Sequence, residues 1–244
     1  MVEARITSEI SDNICTISIN RPDKRNALDG AMFDALANAM NRADADTNVH
    51  CVLLQGTGPH YSAGHDIAEF ARLWPQPEDG SVRRCISAFA KQSKPMVAAV
   101  TGAAVGFGAT MLLHADWVVA GESAVFKFPF ADLGIVPEAG ATALLACRVG
   151  DIVARDWLLS ARRISADEAL LHRFVSCVKP DADVHSVARD YAVCLAGKPA
   201  EALQTSRRLL SEGYALSASE AIEREVVYLN SLIPAVAKAS SGKS

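Results

Sequence analysis

Hydrophobic positions change period along the chain, and each change marks an element. Near the start, Cys15, Ile17 and Ile19 alternate with Ile14, Thr16 and Ser18, Ile6 belongs to an earlier run, and Ser11-Asp12-Asn13 between them supplies turn chemistry. The segment predicts a β-hairpin. Over residues 31–43 the period becomes helical, with Met32, Leu36 and Met40 in a stripe and Phe33 and Ala37 beside it. Short apolar runs predict strands at 51–55, 96–100, 117–120 and 124–128. Helices follow at 184–195, 201–210 and 219–232, and Ser165…Glu168 and Ser217…Glu220 fit the capping box, in which serine and glutamate satisfy backbone N–H groups at a helix entry. Strands mixed with helices, then helices alone, make an α/β pattern with a helical tail.

Composition narrows the function. Half of the 244 residues are hydrophobic, so the chain can bury a substantial core. Its formal charge is −4 and no basic cluster is denser than Arg162-Arg163 or Arg207-Arg208, which argues against nucleic acid as a main partner. The six cysteines form no Cys-x-x-Cys pair and show no zinc-site spacing with histidine; they read as buried free thiols in a reducing compartment. The N-terminal residues lack a basic-then-apolar run, and a cytoplasmic protein is expected. The uncharged stretch 95–113 is long enough to span a bilayer, yet its glycines, alanines and threonines lower its hydrophobicity and its beginning reads as a buried strand. No membrane association is expected.

Three segments depart from simple core-building. In His60-Tyr-Ser-Ala-Gly-His65-Asp66, small residues allow close approach to the main chain and Asp66 is placed to cap a following helix, whose free N–H groups suit a developing oxyanion. In Thr101-Gly-Ala-Ala-Val-Gly106-Phe107-Gly108-Ala-Thr110, a strand passes through glycines into a helix at about 109–115. The third glycine of a dinucleotide fingerprint is replaced by Met111, and no Gly-Lys-Ser/Thr follows, so a further N–H donor at a helix start is the better reading. In Pro129-Phe-Ala-Asp132-Leu-Gly-Ile-Val-Pro137-Glu138-Ala-Gly140, Glu138 is either a first-turn glutamate favoured by a helix dipole or a functional carboxylate, and Asp132 is a turn or capping residue.

Arg21-Pro-Asp-Lys-Arg-Asn26-Ala27-Leu28, Ser62-Ala-Gly-His-Asp66, Gly102-x-x-x-Gly106-x-Gly108, Leu133-Gly-Ile-Val-Pro-Glu-Ala-Gly140 and Ile164-Ser-Ala-Asp-Glu-Ala169 occur in the order seen in the crotonase (enoyl-CoA hydratase/isomerase) superfamily. The chain resembles that family from about residue 6 to 232. The resemblance implies a spiral of ββα units over 1–182 that binds acyl-CoA, and a helical C-terminal region, 183–244, for trimerisation and pocket cover. It implies a homotrimer or a dimer of trimers, with coenzyme A entering as part of the thioester substrate and no separate cofactor or metal. Matching motif to motif, two oxyanion-hole N–H donors fall on His65 and Phe107. Coenzyme A contacts fall on Lys24, Arg25 and Ala27 at the nucleotide end and on Ala63, Asp66, Ile67 and Ala68 toward the thioester, although Lys24 and Arg25 also read as ordinary solvated charges. A general-base role for the His65 imidazole is the lesser reading, and His60, His114 and His172 read as packing or surface residues.

Relatives resembling the hydratase carry two glutamates where this chain has Thr110 and Phe130, neither of which can activate water. Glu138 stands where peroxisomal-type 3-enoyl-CoA to 2-enoyl-CoA isomerases carry their single base. The resemblance therefore points to a double-bond shift. The rivals are enoyl-CoA hydration by Glu138 alone, thioester hydrolysis, and a catalytically silent acyl-CoA binder. His172-Arg173 replaces a commoner His-Gly, which puts the turn there in question.

Overall fold

The computed structural model describes residues 4–213, in which two sheets are wrapped by helices. The main sheet has strands β1 (Ile6–Ser11), β2 (Ile14–Ile19), β3 (Cys51–Gly56), β4 (Met96–Val100), β6 (Trp117–Gly121) and β9 (Cys177–Lys179), in that spatial order. Only β1 and β2 are antiparallel, paired from Ile6↔Ile19 to Ser11↔Ile14; every later pairing is parallel. The hairpin turns on Asp12 and Asn13, both with positive φ (54° and 60°), the geometry a two-residue turn demands and these residue types tolerate. A smaller sheet has β5 (Ala103–Val105), β7 (Val125–Lys127) and β8 (Arg163–Ser165), with β7 central.

Alternation along the main strands divides the core in two. Cys15, Ile17, Ile19, Val52, Leu54, Ala98 and Val100 face α1 (Gly30–Ala45) and the bulk of the apolar interior. Ile14, Cys51, Leu53, Val97, Ala99 and Val119 face the other way, where α8 (Val184–Ala196) lays Val184, Ala188, Ala192 and Ala196 on the sheet at four-residue spacing. A strand buried on both faces is apolar at every position, which is why 51–54 shows no alternation.

Helix starts follow the sequence. Asp29 accepts from the Met32 N–H at 3.0 Å and starts α1. Ser165 accepts from the Glu168 N–H at 3.2 Å and starts α7 (Ala166–Leu171), but Glu168 turns its carboxylate to Arg162 and Trp157, so only half of the capping box forms. At the other end of α7, Arg173 adopts the left-handed conformation (φ 62°), Phe174 N–H donates to Ala169 O and Arg173 N–H to Leu170 O. This is the glycine-type helix stop, made with an arginine. The second capping box, Ser217…Glu220, and the helix expected at 219–232 lie outside the described residues.

Two expectations are corrected. The cysteines are all free, but only Cys15, Cys51 and Cys85 are buried, whereas Cys147 and Cys194 are exposed on outer faces of helices. The helix expected at 109–115 begins two residues earlier, as the single turn α4 (Phe107–Thr110) followed by a 3₁₀ turn, Met111–His114. The stretch 95–113 forms β4, β5 and these turns, and no described helix is long and apolar enough to cross a membrane.

Candidate active site

Two chain segments meet where β5 runs into α4. The first begins with a 3₁₀ turn at Pro22–Lys24 and two left-handed residues, Arg25 (φ 51°) and Asn26 (φ 58°). Asn26 is fully buried; its side chain accepts from Arg21 N–H at 2.8 Å and donates to Thr57 O at 2.9 Å and His60 O at 2.6 Å. Its carbonyl accepts from Ser62 Oγ, which in turn accepts from Gly64 N–H at 3.1 Å. Leu28 then pairs with the second stretch, donating to Gly64 O at 2.7 Å and accepting from Asp66 N–H at 2.8 Å. In this parallel bridge the flanking residues supply both bonds, so the His65 N–H points away from Leu28.

On the facing side, Ser62 pairs with Ala104 of β5, and Gly106 (φ 55°) turns the chain into α4. Gly106 N–H donates to Lys127 O, and its carbonyl accepts from Ala109 and Thr110 N–H, leaving the Phe107 N–H as the first donor of the turn. Among the described residues, neither the His65 nor the Phe107 N–H has a backbone acceptor. The segments touch closely: a β carbon on Gly64 would lie 3.0 Å from Phe107 N, and one on Gly108 would lie 2.3 Å from Ser62 O. Only glycine permits both approaches.

Glu138 enters from a third segment. Of the two readings of Glu138, the first-turn glutamate does not hold, since α5 (Ala141–Val149) starts beyond Gly140. Glu138 is followed by two left-handed residues, Ala139 (φ 53°) and Gly140 (φ 73°), which turn the chain into that helix. The Ala139 carbonyl is held by His114 Nε2 at 3.0 Å. A carbonyl only accepts, so this nitrogen carries the hydrogen; burial holds the ring's pKa below its usual value. Arg148 closes the end of the 3₁₀ turn by donating to Leu112 O, Leu113 O and Ala115 O.

The Glu138 carboxyl is buried, although the residue as a whole is only partly so. Thr110 Oγ1 donates to Oε1 at 2.6 Å, and Oε2 is buried with no partner among the described residues. Burial pushes its pKa up to about 7, with the Thr110 hydrogen bond acting in the opposite sense. The Cys85 thiol, on α3 (Ser81–Lys91), is pushed up by burial and also by the nearby Glu138 charge.

The other expected residues are placed less uniformly. The His65 ring sits 4.6 Å from Phe33, 5.2 Å from Phe70 and 6.1 Å from Phe107 between centroids; burial lowers its pKa to about 4, and it is neutral at pH 7. Asp66 caps α2 (Ile67–Leu73) through Ala68 N–H and pairs with Arg21 at 2.8 Å, so its carboxylate is already engaged. Ala63 N–H donates to Arg25 O, which brings the two expected coenzyme A segments side by side. Lys24, Arg25, Ile67 and Ala68 are exposed and Ala27 is buried. Asp132 is a turn residue paired with Lys127 at 2.8 Å, and Phe130 is buried. His60 is a framework residue, its Nδ1 accepting from Ala103 N–H at 3.2 Å, and His172 packs on Trp157. Among the described residues, no three His, Cys, Asp or Glu side chains gather as metal ligands.

Thr110 was legible only as a missing base, because its partner lies 28 residues away. What the sequence did carry was its place three residues after Phe107, on the same helical turn.

The chain is similar to known proteins over most of its length. The enoyl-CoA hydratase/isomerase family matches residues 9–241. The 2,3-dehydroadipyl-CoA hydratase of Escherichia coli K12 is 35% identical over 88% of this chain and 86% of its own. The peroxisomal enoyl-CoA delta isomerase 3 of Mus musculus is 34% identical over 72% of this chain and 56% of its own. A solved structure from Magnetospirillum magneticum AMB-1 superposes with a TM-score of 0.92 at 33% identity, covering 98% of this chain and 95% of the other. Together with the parallel-sheet core, these matches establish that the chain belongs to the enoyl-CoA hydratase/isomerase family of the crotonase superfamily.

Proposed function

We propose that the protein shifts the double bond of a 3-enoyl-CoA to the 2-enoyl position, with Glu138 as the single base. The observation that carries this is the Glu138 carboxyl: buried, with one oxygen unpartnered among the described residues, its pKa raised to about 7, and joined through Thr110 to the helical turn that begins at Phe107. A base of this kind is half ionised near neutrality and can both take and return a proton. It removes a proton from the alpha carbon, the C–H electron pair enters the thioester as a dienolate, and the same proton returns to the gamma carbon. The His65 and Phe107 N–H groups hold the oxygen on which charge develops, each donor contributing roughly 3 kcal/mol in sites of this type.

Hydration needs a group to activate water as well as one to protonate the alpha carbon, and the two positions where hydratase-like relatives carry glutamate hold Thr110 and Phe130, both buried. Hydration by Glu138 alone is the second reading, favoured by the 35% identity to a hydratase. In both readings coenzyme A belongs to the substrate and no further cofactor takes part. The expected trimer, or pair of trimers, is supported by exposed apolar side chains at Leu133 and Val136 and, on α6 (Asp151–Ser160), at Ile152 and Leu159.

The test is to incubate the protein with 3-hexenoyl-CoA and, separately, 2-hexenoyl-CoA, following the absorbance of the conjugated thioester for the wild type and for Glu138→Gln. Absorbance gained from the first, little lost from the second, and loss of the gain in the variant are the expected outcome. Rapid loss from the 2-enoyl substrate would establish the hydratase instead.

A further inference from the structure

The two oxygens of Glu138 are not equivalent. Oε1 accepts from Thr110 Oγ1 at 2.6 Å, while Oε2 is buried and unpartnered among the described residues. Thr110 is itself completely buried, and among the described residues its hydroxyl has one other acceptor at hand, Phe107 O, 3.4 Å away. A hydroxyl has one proton to give. The carboxylate oxygen is nearer and charged, so it takes that proton in preference to the carbonyl.

We propose that Thr110 is a positioning residue, which by binding Oε1 presents Oε2 as the one oxygen that takes and returns the substrate proton. This rests on the base role proposed for Glu138. Rotation of the carboxyl about its terminal bond would break the Thr110 bond, so the orientation is fixed. The bond survives both protonation states, because a carboxylic acid carrying its proton on Oε2 still offers Oε1 as a carbonyl acceptor. Oε2 alone then serves both the alpha and the gamma carbon of the substrate, as a proton shift within one face requires. Thr110 and Phe107 share the single turn α4, so the same turn that carries an oxyanion donor also holds the base, and their separation is set by helix geometry.

Among the described residues, Thr110 from α4, the Cys85 thiol from α3 and His114 from the 3₁₀ turn meet the Glu138 segment. The thiol's pKa lies well above its usual value and that of His114 below its own, so both are uncharged at pH 7.

The experiment compares wild type, Thr110→Val and Thr110→Ser. Glu138 protonation is followed in the free enzyme by the infrared band of the neutral carboxyl, identified by its loss in Glu138→Gln. Turnover of 3-hexenoyl-CoA is measured across pH. In Thr110→Val the Glu138 midpoint should rise by about one pH unit, since a hydrogen bond to the charged form is lost. At pH 7 kcat should fall about tenfold with KM within about twofold, and Thr110→Ser should restore both. Should Thr110→Val not fold, Thr110→Ala removes the same donor without adding a methyl group in its place. Unchanged midpoint and kcat in the donor-less variant, or failure of a folded Thr110→Ser to restore them, would overturn the proposal. If Glu138→Gln abolishes the band but leaves turnover intact, the base assignment fails, and the positioning role with it, while the infrared midpoints still report the bond.

Discussion

Gly64 and Phe107 approach so closely that a β carbon on the glycine would sit 3.0 Å from the Phe107 nitrogen and 2.4 Å from the Val105 carbonyl oxygen. Backbone stands on both sides, so nothing flexible can yield, and Gly64 also has φ +79°. Gly64→Ala is therefore expected to displace the His65 and Phe107 N–H groups relative to each other. Loss of alignment at one such donor costs roughly 100-fold or more in kcat. Steady-state kinetics on 3-hexenoyl-CoA check this, and a variant of wild-type kcat would remove the glycine from the argument.

With Glu138 as the proposed base, its ionisation should set the pH dependence of turnover. The form that accepts a proton is the ionised one, so kcat/KM should rise with pH through a midpoint of about 7 and level off above it. Glu138→Gln should lose the reaction and the limb together. A wild-type profile flat between pH 5 and 8 would show that some other group is the base.

Burial makes the same carboxyl costly to ionise. Its folded-state pKa lies above the unfolded value of 4.5, so its stabilising contribution is complete below about pH 4.5 and is lost as pH rises through about 7. The difference corresponds to about 3 kcal/mol. At pH 8, Glu138→Gln should melt at a higher temperature than the wild type, a gain that shrinks toward pH 4.

His65 acts in the reverse sense. Its pKa is lowered from 6.5 to about 4, so its contribution is complete above pH 6.5 and is lost as pH falls through about 4. The two windows nearly coincide and their slopes oppose. In Glu138→Gln the melting temperature should climb with pH between 4 and 6.5. In His65→Phe, which keeps the backbone donor among the same aromatic rings, it should fall with pH between 4.5 and 7. His65→Phe should also keep turnover within about tenfold at pH 7, because a neutral imidazole of this pKa is a poor base. Loss of all activity would return the ring to the mechanism.

Asn26 ties its own loop to the one after β3 with its side chain alone, and Asn26→Ala leaves the Thr57 and His60 carbonyls without their donor while retaining a left-handed φ. Each orphaned buried group costs about 1–3 kcal/mol. A loss of roughly 3 kcal/mol in urea unfolding is expected, with a matching drop in kcat as the Ser62–Gly64 segment loosens.

What could be read in the chain alone was local. The hairpin at Asp12-Asn13, the strands at 51–55 and 96–100, the α1 stripe and the Asp66 and Ser165 caps all depend on contacts within a few residues, and pattern and turn chemistry determine those. The order of five motifs marked the family for the same reason, since each is a stretch of neighbours. Tertiary structure decided what lies between segments. Gly64 against Phe107, Thr110 on Glu138 Oε1 and His114 on the Ala139 carbonyl are relationships that no local pattern encodes. The pKa of Glu138 belongs to this second class. The residue type supplies a carboxyl of ordinary acidity, and only burial among groups brought together from distant parts of the chain raises it to the pH at which it can exchange a proton.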